Sequence, residues 1–293
     1  MKWYLLKEQA AGTKRLLLLY YIYGIFGRNA VKFLIYFITF FAFRAAKEIR
    51  KNSAKYLKII GLEPSFKNQY RHFLEYSLSL LDRMEVFSGK FDLQRISFAN
   101  ENDRAMLDKD FDSGIFFICS HLGNIDVMRA LLKKHPEKHI RVFLAKDQCK
   151  IFNNFIKSIS EKTEVTTYPV EEIGLETSIE TKESLNKGEF VFIAGDRTSK
   201  NAANFQAKLF SRNVELPLGT FRFAQLMEVP VYFVCALKDE QENYKIYLKK
   251  FTNYDSKKTT LINMQNEYIE FLENNTRNYP FQFFHFYDMF DKD

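Results

Sequence analysis

From Leu16 to Phe43 the chain reads LLLLYYIYGIFGRNAVKFLIYFITFFAF, an apolar run interrupted only by the charges of Arg28 and Lys32. Neither half reaches the roughly 18 to 20 apolar residues that span a bilayer. The pattern predicts two helical halves that bend near Gly24 and Gly27, forming an uncleaved membrane anchor, since no small-x-small cleavage site follows the run. A buried core hairpin is the alternative, because Arg28 and Lys32 can snorkel from either environment. The next stretch, FRAAKEIRKNSAKYLK, places Arg44, Lys47, Arg50, Lys51, Lys55 and Lys58 at headgroup level. Residues 65 to 87 repeat apolar positions three and four apart behind Ser65, a helix with a polar cap. Beyond them the period changes. GIFFICS (114–120), RVFLA (141–145), FVFIAG (190–195) and VYFVCAL (231–237) are short, nearly continuous apolar runs separated by helical stretches. NVELPLGTFRFAQLME reads as the helix before the fourth run, with Pro217 near its start; NYKIYLKKF (243–251) alternates as an antiparallel or edge strand. Residues 259 to 277 read as a closing helix. The fold class expected is α/β: a single mixed, largely buried sheet flanked by helices. An N-terminal apolar and basic segment (1–60) precedes the α/β domain (61–293).

Composition changes this picture in two places. The chain has 293 residues, 46% of them hydrophobic, with 6 Pro and 11 Gly, so a sizeable core forms and no linker composition interrupts it. Charge matters when divided: residues 1 to 60 hold 12 Lys/Arg against 2 Asp/Glu, although the whole chain is only +7. A nucleic-acid binder carries basic residues over its folded body, whereas here they sit with the most apolar segment, pointing to an anionic membrane surface. The cysteines Cys119, Cys149 and Cys235 are odd in number and widely spaced, which fits a reducing, cytoplasmic-facing location and no disulfide framework.

In open α/β sheets ligands bind beyond the carboxyl ends of the strands. The first run ends in HLGNID, and His121 five residues before Asp126 could pair with it only across a break, because five residues of unbroken helix turn about 500°. Gly123 and Asn124 supply that break, as a flexible turn and a helix cap. A neutral imidazole backed by a carboxylate is a general base; the alternative is a strand-end histidine beside an unrelated first-turn aspartate. Asp196 and Arg197 end another run, as a second set of site residues or a solvated pair. His135 and His139 are spaced like helical metal ligands, but Pro136 intervenes and no third ligand is evident, so no metal is expected. Cys119 shares a strand face with His121, though a buried strand cysteine is the more ordinary reading. No phosphate-binding glycine loop occurs.

These blocks resemble the late acyltransferases of lipid A biosynthesis, of the lauroyl and myristoyl type, within the wider His-x4-Asp/Glu acyltransferase group. HLGNID at 121–126 is similar to the family's His-x-Gly-Asn-Trp-Glu block, GDRTSK at 195–200 to its second strand-end block, and AKLFSRNVELPLGTFRFAQLMEVPVYF to its Pro-x-Gly block. PFQF at 280–283 is similar to its C-terminal Pro-x-Gln-Trp. Ile125, Asp126 and Phe283 depart from the usual Trp, Glu and Trp, and the aromatic HFYDMF tail resembles that of relatives linked to other acylated products, such as aryl polyene or flexirubin-like pigments. The resemblance implies transfer of a fatty acyl chain from an acyl carrier protein or CoA thioester to a hydroxyl of a membrane lipid acceptor, with no further cofactor. It implies His121 as base, Asp126 as its orienting carboxylate, and a place at the cytoplasmic side of a bacterial inner membrane. Arg197, Asp196 and the N–H groups of the Gly123–Asn124 turn are the substrate-binding candidates by position. A thioesterase or hydrolase, and a non-catalytic membrane protein, are the rival classes.

Overall fold

The computed structural model describes residues 13–132, 135, 137–159, 165–198 and 202–290. Residues 1–12 of the basic segment, Pro136, and Ser199 and Lys200 of the GDRTSK block lie outside the described residues. Three helices come first: α1 (Thr13–Ala45), kinked at Gly27 where φ is 75°, then α2 (Lys47–Ile59) and α3 (Phe66–Phe87). Ser65 caps α3, its hydroxyl accepting the Asn68 N–H at 3.3 Å. By length and composition α1 could cross a membrane.

The α/β layer follows in the order β1 (Ile96–Phe98), α4 (Glu101–Asp110), β2 (Ile115–Cys119), α5 (Asp126–Leu132), β3 (Ile140–Leu144), α6 (Lys146–Ile159), β4 (Val165–Pro169), α7 (Leu175–Asn186) and β5 (Phe190–Ala194). Then come the hairpin β6 (Asn204–Leu209) and β7 (Arg212–Pro217), α8 (Leu218–Met227), β8 (Val231–Lys238), β9 (Tyr244–Lys250) and α9 (Lys257–Asn278). Seven strands form one sheet in the order β1-β9-β8-β2-β5-β3-β4, parallel throughout except between β8 and β9. The fold class read from the sequence is therefore present. β9 is antiparallel to β8, as its alternation suggested, but β1 covers its outer side. The stretch 213–217, expected to lead into a helix, is strand β7, and the helix starts only at Leu218, after Pro217.

The central strands are apolar on every residue because both sheet faces are covered. Phe116, Ile118, Val191, Ile193 and Phe233 pack under α8 and α9, while Ile115, Phe117, Phe190, Phe192 and Val234 pack on the opposite side against Val127 and Met128 of α5. Gly114, just before β2, is approached so closely that a Cβ there would lie 2.1 Å from the Leu185 carbonyl oxygen. The compositional boundary near residue 60 is not a boundary in packing. Tyr56 and Leu57 of α2 lie in the α8–α9 core, the Tyr56 hydroxyl donates to Pro280 O at 2.7 Å, and Lys55 pairs with Asp288 at 2.7 Å.

Candidate active site

The register of the two central strands builds the site. Cys119 of β2 pairs with Ala194 of β5, so the residues two beyond each strand, His121 and Asp196, come out side by side at the carboxyl rim. Asp196 is fully buried and binds His121 twice: it accepts the His121 backbone N–H at 2.7 Å through Oδ2, and His121 Nδ1 lies 3.0 Å from Oδ1. Its Oδ2 also takes His285 Nε2 at 2.7 Å, from the C-terminal segment. A carboxylate only accepts, so Nδ1 of His121 carries the proton and Nε2 holds the lone pair, on a side chain 36% exposed.

Burial alone would raise the Asp196 carboxyl, but the adjoining His121 and His285 outweigh it and hold it well below the usual carboxylate range. His285 behaves oppositely. Complete burial lowers it to about 4 against the pull of Asp196, so it is a neutral donor at neutral pH, and its buried Nδ1 has no hydrogen-bond partner among the described residues. The three ligand atoms lie within 4.8 Å of one another, a two-histidine, one-carboxylate set that could hold a metal. Here the set is satisfied internally, each close approach being a hydrogen bond to Asp196.

The sequence pairing of His121 with Asp126 is corrected by this geometry. Asp126 opens α5 as expected, yet its carboxylate meets Arg83 Nε of α3 at 2.7 Å, and among the described residues no hydrogen bond or ion pair joins it to His121. Strand register, which the linear spacing cannot express, delivers Asp196 instead. The Gly123–Asn124 turn is also reassigned. The break is there, with Gly123 at φ 74° and a Cβ position only 2.1 Å from Ala236 O, where a side chain would collide with backbone. Its two N–H groups, however, donate to Gln282 O at 2.8 Å and Ala236 O at 2.9 Å, so neither is available to an oxyanion. The Asn124 side-chain amide nitrogen ties the turn to α3, donating to Ser79 O at 3.0 Å. Arg197 clamps the C-terminal segment: it donates to Phe284 O at 2.9 Å and stands over the Tyr287 ring.

That segment supplies what the sequence reading missed. Gln282 copies a strand partner at the end of β8, its Oε1 accepting Lys238 N–H at 2.9 Å and its Nε2 donating to Lys238 O at 2.6 Å. Phe284 N–H then donates to His121 O at 2.9 Å, which sets His285 beside Asp196. The histidine's place in an aromatic tail was the only available signal. Cys119 is buried and its thiol is pushed up, first by burial and then by Asp196, the opposite of an activated nucleophile. His135 is paired with the neighbouring Glu137, away from the dyad.

A row of aromatic rings reaches the site from α1. Phe43 touches Phe73, Phe73 touches Phe286, Phe286 touches Tyr76, and Tyr76 touches Phe284, with ring centroids 5.0 to 5.5 Å apart at each step. The last ring of the row, Phe284, belongs to the residue whose backbone N–H bonds the His121 carbonyl. No protein-family model matches the chain, and no curated protein matches it.

Proposed function

We propose that the protein is a membrane-associated O-acyltransferase, moving a fatty acyl chain from an acyl carrier protein or CoA thioester to a hydroxyl of a lipid acceptor of lipid A type. The observation that carries this reading is a half-exposed imidazole fixed in one tautomer by a buried carboxylate at the carboxyl rim of an α/β sheet. His121 Nε2 takes the acceptor hydroxyl proton as the oxygen attacks the thioester carbonyl. Asp196 stabilises the imidazolium, the tetrahedral intermediate collapses, and the thiolate leaves with that proton. One ester forms, one thioester breaks, and no acyl-enzyme is needed. His285 holds Asp196 ionised and aimed, and Asp126 braces α5 against α3 through Arg83. The aromatic row beside the site suits an acyl chain.

The work belongs at the cytoplasmic face of a bacterial inner membrane, where thioester donors and lipid acceptors meet. The raised, buried Cys119 thiol argues against a cysteine thioesterase. A pigment-like aromatic polyene is the alternative acceptor. The test is transfer of labelled acyl chain from acyl carrier protein to a membrane lipid extract: His121→Ala should lower turnover by about 10² to 10⁴. Wild-type turnover in a folded His121→Ala protein would end the proposal, and lipid profiles of cells with and without an active copy would name the acceptor.

A further inference from the structure

Helix α1 shows two unlike sides. One packs lengthwise and antiparallel on α3: Lys90 stands over the Tyr20 and Tyr23 rings at one end, Val31 and Ile35 pack with Leu78 and Leu81 in the middle, and Phe43 meets Phe66 and Phe73 at the other. The two charges of the apolar run belong to this inner side. Arg28 binds Asp82 at 2.7 Å and Glu85 at 2.5 Å, and Lys32 binds Glu242. The outer side carries Leu18, Tyr21, Ile25, Phe33, Phe37 and Phe41, each more than half exposed, with no charged residue among them. Immediately beyond it Arg44, Lys47, Lys51 and Lys58 are exposed, against Glu48 alone.

A helix that crosses a bilayer enters end-on and clear of the soluble body. Here entry would carry α3 along, with Asp82, Glu85 and the exposed Lys67 and Arg71 of the same helix, into hydrocarbon that does not solvate them. The kink at Gly27 also divides α1 into pieces of about 21 and 27 Å, each shorter than the roughly 30 Å hydrocarbon core. An apolar outer side, inward-turned charges and an adjoining cationic patch are what a helix lying in the headgroup boundary presents to anionic lipid.

We propose that α1 docks in the plane of an anionic bilayer and does not cross it, so that the whole chain stays on one side. This rests on the membrane attachment proposed above but not on acyl transfer, and its readouts are binding and sidedness.

Two experiments on the full chain test it. In the first, purified protein is mixed with sealed vesicles of phosphatidylcholine containing phosphatidylglycerol. The Phe33→Asp/Phe37→Asp/Phe41→Asp variant should bind at least 100-fold more weakly, with unchanged circular dichroism and melting temperature; should it unfold, Phe33→Ser/Phe37→Ser replaces it, with at least a tenfold loss expected. Unchanged binding by a folded variant overturns the docking face and leaves membrane attachment standing; dimerisation without vesicle binding by the wild type overturns both. In the second, epitope tags are placed before Met1 and after Asp293. Protease should spare both tags in intact spheroplasts and remove both in inverted vesicles. Tags digested from opposite sides would show a crossing helix and overturn the in-plane reading while leaving acyl transfer and membrane attachment standing.

Discussion

Two aspartates among the described residues are completely buried, and they live in opposite company. Asp82 of α3 is ringed by cationic side chains and a phenol: Arg28 at 2.7 Å, Lys238 at 3.3 Å and the Tyr244 hydroxyl at 2.6 Å, with Arg95 further out. Asp196 is held by two imidazoles and a backbone N–H. The first carboxylate is a fastener, tying α1, α3 and β8 into one piece through its buried ion pairs. Only the second is joined to a half-exposed imidazole, a group that can both give and take a proton through its two ring nitrogens. Burial and hydrogen-bond number are nearly alike at the two sites. The chemistry of the partner makes the difference.

The comparison breaks most visibly if the two carboxylates are neutralised in turn. Asp196→Asn should cost about 10² to 10⁴ in acyl transfer, by loosening the tautomer of the base, as read in the labelled-acyl assay. Asp82→Asn should leave the chemistry of each folded molecule intact and instead lower unfolding free energy by about 3 to 5 kcal/mol, because it strands buried cations; urea unfolding measures this. Equal activity losses in the two folded variants would erase the distinction.

Acid sharpens it. Burial holds His285 and His72 at about 4 in the folded chain, below the ordinary 6.5 of an exposed imidazole, so the unfolded chain binds more protons in between. Their contribution is whole above pH 6.5 and is lost as pH falls toward 4, about 2 kcal/mol for each histidine by pH 4.5. Glu85 beside the fastener is raised by burial and acts in the other direction. Denaturant titrations should therefore show stability falling through this window, and a flatter curve for His72→Gln. The smallest effect expected is that of Cys119→Ala, which should keep turnover within about twofold and cost about 1 kcal/mol for a trimmed buried side chain. Loss of activity in that variant would restore a thiol mechanism.

Much of the frame was legible because the forces that build it are local or periodic. Runs such as GIFFICS and VYFVCAL are continuous where both sheet faces are covered, and Ser65 marks the start of α3 by its own hydrogen bond. Where pairing partners decide the structure, the chain offered little. β1 and β4 are short and only half buried, and the β6–β7 hairpin turns at Phe210 and Ser211, both left-handed, without the Asn-Gly that usually announces such a turn. The site divided in the same way. His121 was readable from its place after a strand, while its carboxylate was assigned by proximity in sequence to Asp126, when register with β5 brings Asp196. His285 arrives only because Gln282 locks onto the end of β8, a side-chain contact that no periodicity records.

The two glycines that bracket β2 have a consequence for anyone reading substitution tolerance. At Gly114 and at Gly123 a carbonyl oxygen from a neighbouring segment stands 2.1 Å from where a Cβ would be. Every replacement except glycine itself carries that atom, so both positions will reject alanine as firmly as tryptophan. Neither touches the imidazole's free nitrogen. In a saturation scan these two columns will look as intolerant as His121, and what they report is the seating of one strand at its two ends. Under the proposed acyl transfer, a variant map therefore separates chemistry from strand seating only if abundance is measured alongside turnover: at 121 the protein should accumulate and be silent, and at 114 and 123 it should fail to accumulate.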